Sequence, residues 1–343
     1  MMPDSSRIPD LPSSRRPRAA APTPSLCLEV ASRTDAGLER DNNEDNLLVT
    51  ALGASARALP RATRLVIEPP GFALLAVCDG MGGARAGEVA SRLAVDLLEE
   101  AMLQKGPAAS PAELGPRLTY SLEEASRRIH QQASQRSAQS GMGTTATACA
   151  LAGDTLHIAQ IADSRAYLLR RGRLTQLTRD QTLATLMLES GQLAPEEVHT
   201  FAFGHVILQA VGTAERVEVD LRQITVCAGD VLLLCSDGLH GPVSDAQIQQ
   251  ILEREPTPAA ACDALITQAL DAGGPDNISC IVARIEGSAL AQPTGEVQIE
   301  RPAPPPEDLI PQTERPVPVT PEDPAPSSKP PSMLEKLRAF FNR

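Results

Sequence analysis

Three aspartates in this chain stand where an apolar run meets a turn rich in glycine. They are Asp79 in Leu75-Ala76-Val77-Cys78-Asp79-Gly80-Met81-Gly82-Gly83, Asp237 in Ser236-Asp237-Gly238, and Asp276 in Gly273-Gly274-Pro275-Asp276-Asn277. Apolar β-formers beside each carboxylate read as a buried strand, and the glycines as a tight turn where backbone comes close to something. Taken singly, each is an Asp-Gly turn at the end of a core strand. Taken together, the three could converge at one edge of a β-core, where they would repel strongly unless cations lay between them. An all-oxygen donor set selects Mg²⁺ or Mn²⁺ over Zn²⁺. None of the five histidines has the spacing of a zinc site. The glycines also raise a nucleotide-binding reading, but there is no Walker pattern, and Gly80-Met81-Gly82-Gly83 does not match G-x-G-x-x-G.

Upstream lies a dense polar stretch, 33–46, too polar for core. It carries Arg40, whose guanidinium can fork onto phosphate oxygens. It also carries the adjacent carboxylates Glu44 and Asp45, which can hold a metal or its waters; otherwise it is simply a loop. A further strand-end carboxylate is Asp163, in Asp163-Ser164-Arg165, readable as ligand or as turn residue.

The elements that must position these groups follow from periodicity. Strands are expected at 26–32, 47–50, 65–68, 72–78, 145–151, 155–162, 166–170, 173–176, 218–226, 231–235 and 278–285. Residues 51–64 read as a loop and 69–71 as a turn. Helical stripes run over about 86–105, 111–137, 244–254 and 258–272. Residues 180–205 read as an irregular insertion with a short helix near 182–190 and another opening at Pro195.

At 343 residues with a net charge of -12, the chain can bury a sizeable core and lacks the basic surface of a general nucleic-acid binder. With no Trp, two Tyr and five Phe, aliphatic residues must fill that core. The seven cysteines contain no C-x-x-C pair, and Cys78, Cys149, Cys235 and Cys280 lie in apolar runs, which fits a reducing cytoplasm better than a disulfide framework. With no apolar signal segment at the start and no run long enough to span a membrane, neither export nor membrane insertion is expected. Residues 1–24 read as a disordered Pro/Arg/Ser-rich arm. Its basic cluster Arg15, Arg16 and Arg18 reads as an acidic-partner site or as a solvated tail. Residues 25–287 read as the folded domain and 288–331 as a Pro-rich linker. In 332–343, Leu334, Leu337, Phe340 and Phe341 with Lys336, Arg338 and Arg343 form a short basic amphipathic pattern, suited to a membrane surface, to a partner or to a frayed tail.

The segments Arg40-x-x-Asn43-Glu44-Asp45, Asp79-Gly80-Met81-Gly82-Gly83, Gly141-Met142-Gly143-Thr144-Thr145, Asp163-Ser164-Arg165, Ser236-Asp237-Gly238 and Gly274-Pro275-Asp276-Asn277 occur in one order. Over about 26–286 the chain resembles the metal-dependent serine/threonine protein phosphatases of type 2C, in their bacterial form. The resemblance implies an α+β fold, a four-layer α-β-β-α sandwich of two antiparallel sheets flanked by helices. It implies two Mn²⁺ or Mg²⁺ ions bridged by Asp79 and a water, with Asp237 and Asp276 on one ion and the Gly80 carbonyl on the other. Glu44 and Asp45 would hold the waters of that second ion, and Asn277 would neighbour the metal shell. The activated water would attack phosphorus in line while Arg40 clamps the phosphate, with no phosphoenzyme. The substrates would be phosphoserine and phosphothreonine proteins, targets of kinases in bacterial signalling.

Two departures stand out. Met81 occupies a position where some members have a histidine suggested as general acid, so the leaving group's proton must come from elsewhere. Gly241 occupies a position where members commonly have an aspartate that, with the residue matching Asp163, helps bind a third metal; Asp163 remains a third-metal candidate. His240 reads as an exposed turn residue. Segment 180–205 matches the family's variable flap beside the active site. Against an active phosphatase stand a phosphatase-like binding module and, within the enzyme class, a narrow substrate such as a phosphorylated sigma-factor regulator.

Overall fold

A computed structural model of the chain describes residues 26–59, 62–82, 86–287 and 290–302. The expected N-terminal arm and the C-terminal amphipathic pattern lie outside these residues, as does Gly83. In chain order the elements are β1 (Leu26–Asp35), β2 (Asp45–Leu59), β3 (Ala62–Met81), α1 (Ala86–Gln104), α2 (Leu114–Gln135), β4 (Gly143–Thr144), β5 (Ala146–Ala152), β6 (Thr155–Ile161), β7 (Arg165–Arg170), β8 (Arg173–Gln176), α3 (Leu183–Glu189), β9 (Asp220–Thr225), β10 (Val231–Cys235), α4 (Asp237–His240), α5 (Asp245–Arg254), α6 (Pro258–Asp271) and β11 (Ile278–Gly287).

The strands pair antiparallel in the order β8-β7-β10-β11-β1-β3-β5-β6-β9, with β2 and β4 attached to β3. β3 is the element on which the sheet curls. Its first part pairs with β1, as Leu28 with Leu65, and its later part pairs with β5, as Leu75 with Cys149. Apolar strands buried on both faces explain the continuous apolar runs of the sequence. On β3, Phe72, Leu74 and Ala76 pack under α1 and α2 with Leu98, Met102, Leu118 and Ile129. The intervening Leu75 and Val77 face a second cluster with Leu28, Ile158, Leu168, Leu234 and Ile281. On β10, Leu233 and Cys235 point the other way, into a third cluster with Ile248, Leu252, Leu265 and Val282 beneath α5 and α6. All seven cysteines are buried and free, and Cys78, Cys149, Cys235, Cys262 and Cys280 fill these layers as small apolar groups.

Two expectations are corrected. Residues 51–59 and 62–64 are not a loop, and 69–71 not a turn: β2 runs against β3 for its full length. The alanine-rich stretch has weak intrinsic β-propensity, and ladder hydrogen bonds to a long partner override it. A bulge between Leu52 and Ala54 absorbs the irregularity at Gly53, whose φ is +67°. Within the expected Pro-rich linker, residues 290–302 make contacts with this fold. Gln223 and Glu300 exchange two backbone hydrogen bonds of 2.9 Å, and Leu290 and Val297 pack on the central cluster. Among the described residues no helix is long and apolar enough to cross a membrane.

β10, which delivers Asp237, is fastened to β7 by a buried ion pair. Arg170 donates from Nε to Asp230 Oδ1 at 2.9 Å and from Nη2 to Oδ2 at 2.7 Å, with side chains 8% and 1% exposed. Asp230→Ala would strand the guanidinium without its counter-charge. A loss of about 3–5 kcal/mol is expected in urea unfolding, with a smaller loss for Asp230→Asn, which keeps an acceptor. An Asp230→Ala protein as stable as the parent would show that the pair does not hold this junction.

Candidate metal and phosphate site

β2 and β3 place two carboxylates face to face: Asp45, the first residue of β2, pairs across the ladder with Asp79 near the end of β3. Like charges at directly opposed positions destabilise a ladder. Their proximity is therefore maintained by everything around them. The Asp79 N–H donates to Thr145 Oγ1 at 2.9 Å, and its carbonyl accepts from the Thr145 N–H and the Thr144 hydroxyl at 2.8 Å each. Asp45 Oδ2 accepts the Ser236 hydroxyl at 2.8 Å.

Asp237 opens α4 at the end of β10, and Asp276 lies in the turn before β11. These two turns stack backbone on backbone. A Cβ on Gly238 would stand 2.1 Å from the Asn277 carbonyl oxygen, so glycine alone allows the approach. On the opposite side, a Cβ on Gly80 would meet the Gly87 carbonyl oxygen at 2.2 Å, which presses the start of α1 against the end of β3.

The loop between β1 and β2 is held by Asn277. Its Oδ1 accepts the Glu44 N–H at 2.8 Å, and its Nδ2 donates to the carbonyls of Ala36 and Asn42 at 2.9 and 2.8 Å. This loop carries Arg40, whose Nη2 donates to Asp276 Oδ2 at 2.6 Å while the side chain remains 55% exposed. Asp276 Oδ1 accepts the Asn277 N–H at 2.8 Å.

The result is one cavity of about 600 Å³ whose wall includes Arg40, Glu44, Asp79, Gly80, Asp163, Asp237, Asp276 and Asn277. Asp45 lies behind it, buried. All nine residues singled out in the sequence thus come to one place. The sequence did not reveal Thr145, the hydroxyl that orients Asp79, nor His205 and Ile207, which reach the wall from the insertion. A strand-opening Thr-Thr was visible, but nothing local showed that it faces a carboxylate. His240 is corrected: it is half-buried rather than an exposed turn residue, with Nε2 3.0 Å from the Asp163 carbonyl oxygen. Asp163 itself is buried and follows Ala162, a non-glycine residue at φ +74°. Gln181 braces that strained position, its N–H and Oε1 bonding the Ala162 carbonyl and N–H at 2.9 and 2.8 Å.

Electrostatics records the crowding. Burial, reinforced by the charges of Asp45 and Asp237, pushes Asp79 well above the usual carboxylate range. Burial pushes Asp45 and Asp163 up to about 7, with Asp237 adding to both. Asp237 is raised by burial and by Asp276. Asp276, with Asp237 and Asp79 beyond it, holds the Arg40 guanidinium more firmly charged.

The donor set fits divalent cations. It is entirely oxygen, and Asp45 Oδ1 and Asp237 Oδ1 are shut from solvent with no hydrogen-bond partner. Among the described residues no three or more His, Cys, Asp or Glu side chains are arranged so that they could hold a metal ion by themselves. The arrangement suits ions that keep part of their water, as Mg²⁺ does.

An antiparallel curled sheet flanked by helices, with an oxygen-lined acidic cavity and one guanidinium at its edge, defines a recognised class. The family model for protein phosphatase 2C matches residues 62–272, and the chain belongs to that family. It is 38% identical over 260 residues to the serine/threonine protein phosphatase PstP of Mycobacterium tuberculosis, covering 76% of this chain and 45% of that relative. The chain thus spans about half the length of that relative. It is 34% identical over 250 residues to the serine/threonine phosphatase stp of Listeria monocytogenes, covering 73% of this chain and 93% of the relative. Among solved structures, the catalytic domain of PstP in complex with two manganese ions matches at TM-score 0.62 with 38% identity, over 76% of this chain and 99% of that one. Stp1 from Staphylococcus aureus matches at 0.66 with 32% identity, over 76% and 96%.

A carboxyl raised on folding binds its proton more tightly in the folded chain than in the unfolded one, where it titrates near 4. The metal-free fold therefore has this advantage in full below about pH 4 and loses it as pH climbs through about 7, the value of Asp45 and Asp163. In chelator, unfolding free energy from urea titrations is expected to fall by a few kcal/mol between about pH 5 and 8, with Asp45→Asn flattening the fall. Metal-free protein that gains stability over that interval would contradict the assignment.

Proposed function

We propose that this chain hydrolyses phosphoserine and phosphothreonine in proteins, with Mn²⁺ or Mg²⁺ as cofactor, opposing serine/threonine kinases in bacterial signalling. The observation that carries the reading is the single cavity in which Asp79, Asp237 and Asp276 meet the exposed guanidinium of Arg40. The named relatives and the manganese-bound catalytic domain point the same way. Asp79, the Gly80 carbonyl, Asp237 and Asp276 would hold two ions, with Glu44 and Asp45 taking their waters and Asn277 bracing the loop above. Asp163 would serve a third ion, if one binds beside Gly241. When bound, the two ions would make a water nucleophilic near neutral pH and offset phosphate charge.

The chain's own residues do the rest. Arg40 offers a planar pair of N–H donors to two phosphate oxygens and steadies the charge that spreads over them during transfer. Asp276 orients that guanidinium from below at 2.6 Å. Asn277, through three hydrogen bonds to the β1–β2 loop, keeps Arg40 and Glu44 over the carboxylates. The buried hydroxyls of Thr145 and Ser164, 2.7 Å apart, fix the Asp79 backbone.

Four further parts of the reading have support of different kinds. The three apolar clusters, one between sheet faces and two under helices, support the four-layer α-β-β-α sandwich of two antiparallel sheets. The end of β11 at Gly287 supports a catalytic domain over 25–287, with 290–302 as a strap upon it. Seven free, buried cysteines support a cytoplasmic setting. The names of the serine/threonine phosphatase relatives support phosphoprotein partners, and the net charge of -12 weighs against nucleic acid.

The test is phosphate release from a phosphothreonine peptide with Mn²⁺, with Mg²⁺ and with chelator. Release that requires metal is expected. Asp79→Asn should abolish it, and Arg40→Ala should lower kcat/KM by about 10²-fold with a raised KM. Folded, metal-loaded protein that releases phosphate from no phosphoserine or phosphothreonine substrate would leave a binding module as the better account.

A further inference from the structure

Hydrolysis of a serine or threonine phosphate expels an aliphatic alkoxide, which departs readily only when its oxygen gains a proton as the P–O bond breaks. The cavity wall offers few donors for that proton. Arg40 keeps its own at any working pH. Met81 has none to give, and the amides of Asn42 and Asn277 and the hydroxyl of Thr145 are far too weakly acidic. Asp79, Asp237 and Asp276 would hold the ions, Glu44 would take their waters, and Asp163 would serve a third ion, which leaves none of these carboxyls for the leaving group. His205 is the histidine on this wall among the described residues, and its side chain is exposed to the cavity solvent.

His205 is also well anchored for a residue of an irregular insertion. The Val206 N–H closes a turn onto the Phe203 carbonyl at 3.1 Å, directly over His205. The Leu183 N–H donates to the Val206 carbonyl and the Leu208 N–H to the Gln181 carbonyl, both at 2.8 Å, so Ile207 bridges Thr182. Gln181 in turn holds Ala162, the neighbour of Asp163. Two short hydrogen-bonded steps thus tie the position of His205 to the acidic floor of the site.

We propose that His205 is the general acid that protonates the leaving serine or threonine oxygen, an inference that rests on the phosphatase reading above. As the water oxygen bonds to phosphorus, the P–Oγ bond breaks and its electron pair passes to Oγ. That oxygen takes the proton from a ring nitrogen of the imidazolium. The proton given up by the water leaves to solvent, and the imidazole recovers one from solvent for the next turnover. Ester and water become alcohol and phosphate, and nothing is oxidised or reduced. Histidine suits this exchange because it both gives and takes a proton near neutrality.

A general acid matters in proportion to how poor the leaving group is, which separates this role from binding. The experiment uses the full chain with Mn²⁺, parent against His205→Gln, on a phosphothreonine peptide, the same peptide with phosphotyrosine, and p-nitrophenyl phosphate. The kcat for phosphothreonine is expected to fall by about 10²-fold, phosphotyrosine less, and p-nitrophenyl phosphate by less than about twofold, with peptide KM unchanged. Thermal melting and Mn²⁺ affinity by calorimetry are expected to match the parent. An equal loss on all three substrates, or a rise in KM alone, would overturn the proposal. So would the leaving-group pattern appearing in Asp163→Asn and not in His205→Gln. If the parent turns over none of the three esters, the phosphatase reading itself fails and takes this assignment with it.

Discussion

The structure is organised by a repulsion. Asp45 and Asp79 are cross-strand neighbours, Asp237 adds its charge to both, and Asp276 adds its charge to Asp237. No sheet edge would gather these groups for stability alone. What opposes the repulsion is a mixture of protons, hydroxyl donors and one guanidinium: Ser236 on Asp45, Arg40 on Asp276, and raised proton affinity on Asp45, Asp79 and Asp163. Two carboxylate oxygens are left dry and without donors. Such atoms are rare in folded proteins, and an oxygen-loving cation is the plainest partner for them.

Holding that arrangement needs a rigid support and very close backbone contacts. The support is the sheet, whose strands are buried on both faces by three apolar clusters. The contacts are made by glycines. A Cβ on Gly37 would stand 2.2 Å from the Asp276 carbonyl oxygen, as one on Gly238 would crowd Asn277 and one on Gly80 would crowd Gly87. The glycines beside the aspartates therefore serve loop-to-loop packing as much as turn formation. They bring the β1–β2 loop, the α4 turn and the turn before β11 within reach of one another.

The parts of this design that are local in sequence were legible there. An apolar run, a carboxylate and a glycine turn are contiguous, so Asp79, Asp237 and Asp276 could be picked out, and the helices at 86–104, 245–254 and 258–271 followed from their stripes. What depended on distant partners was not legible. Residues 51–59 carry too few β-formers to announce a strand, and only the length of β3 opposite makes them one. The 290–302 segment has a linker's composition, yet Leu290 and Val297 find apolar cover and Glu300 finds a backbone partner. His240 looked exposed because α4 is too short for periodicity to show which side faces Asp163.

The insertion between β8 and β9 shows how a region of low sequence regularity can still be tied to the chemistry. Its helix α3 is short, and Phe203, Val206 and Leu188 are exposed apolar side chains. Its base is nevertheless welded to the end of β6: Gln181 satisfies both backbone groups of Ala162, and Thr182 caps α3 and pairs with Ile207. Ala162 adopts a left-handed conformation that costs a non-glycine residue of order 1 kcal/mol, and these hydrogen bonds keep it there. Because Asp163 follows directly, any displacement of the insertion's base acts on the carboxylate behind it. The rim of the cavity and its acidic floor are thus one mechanical unit, so the segment that carries His205 and Ile207 to the wall is placed by the same strained turn that places Asp163.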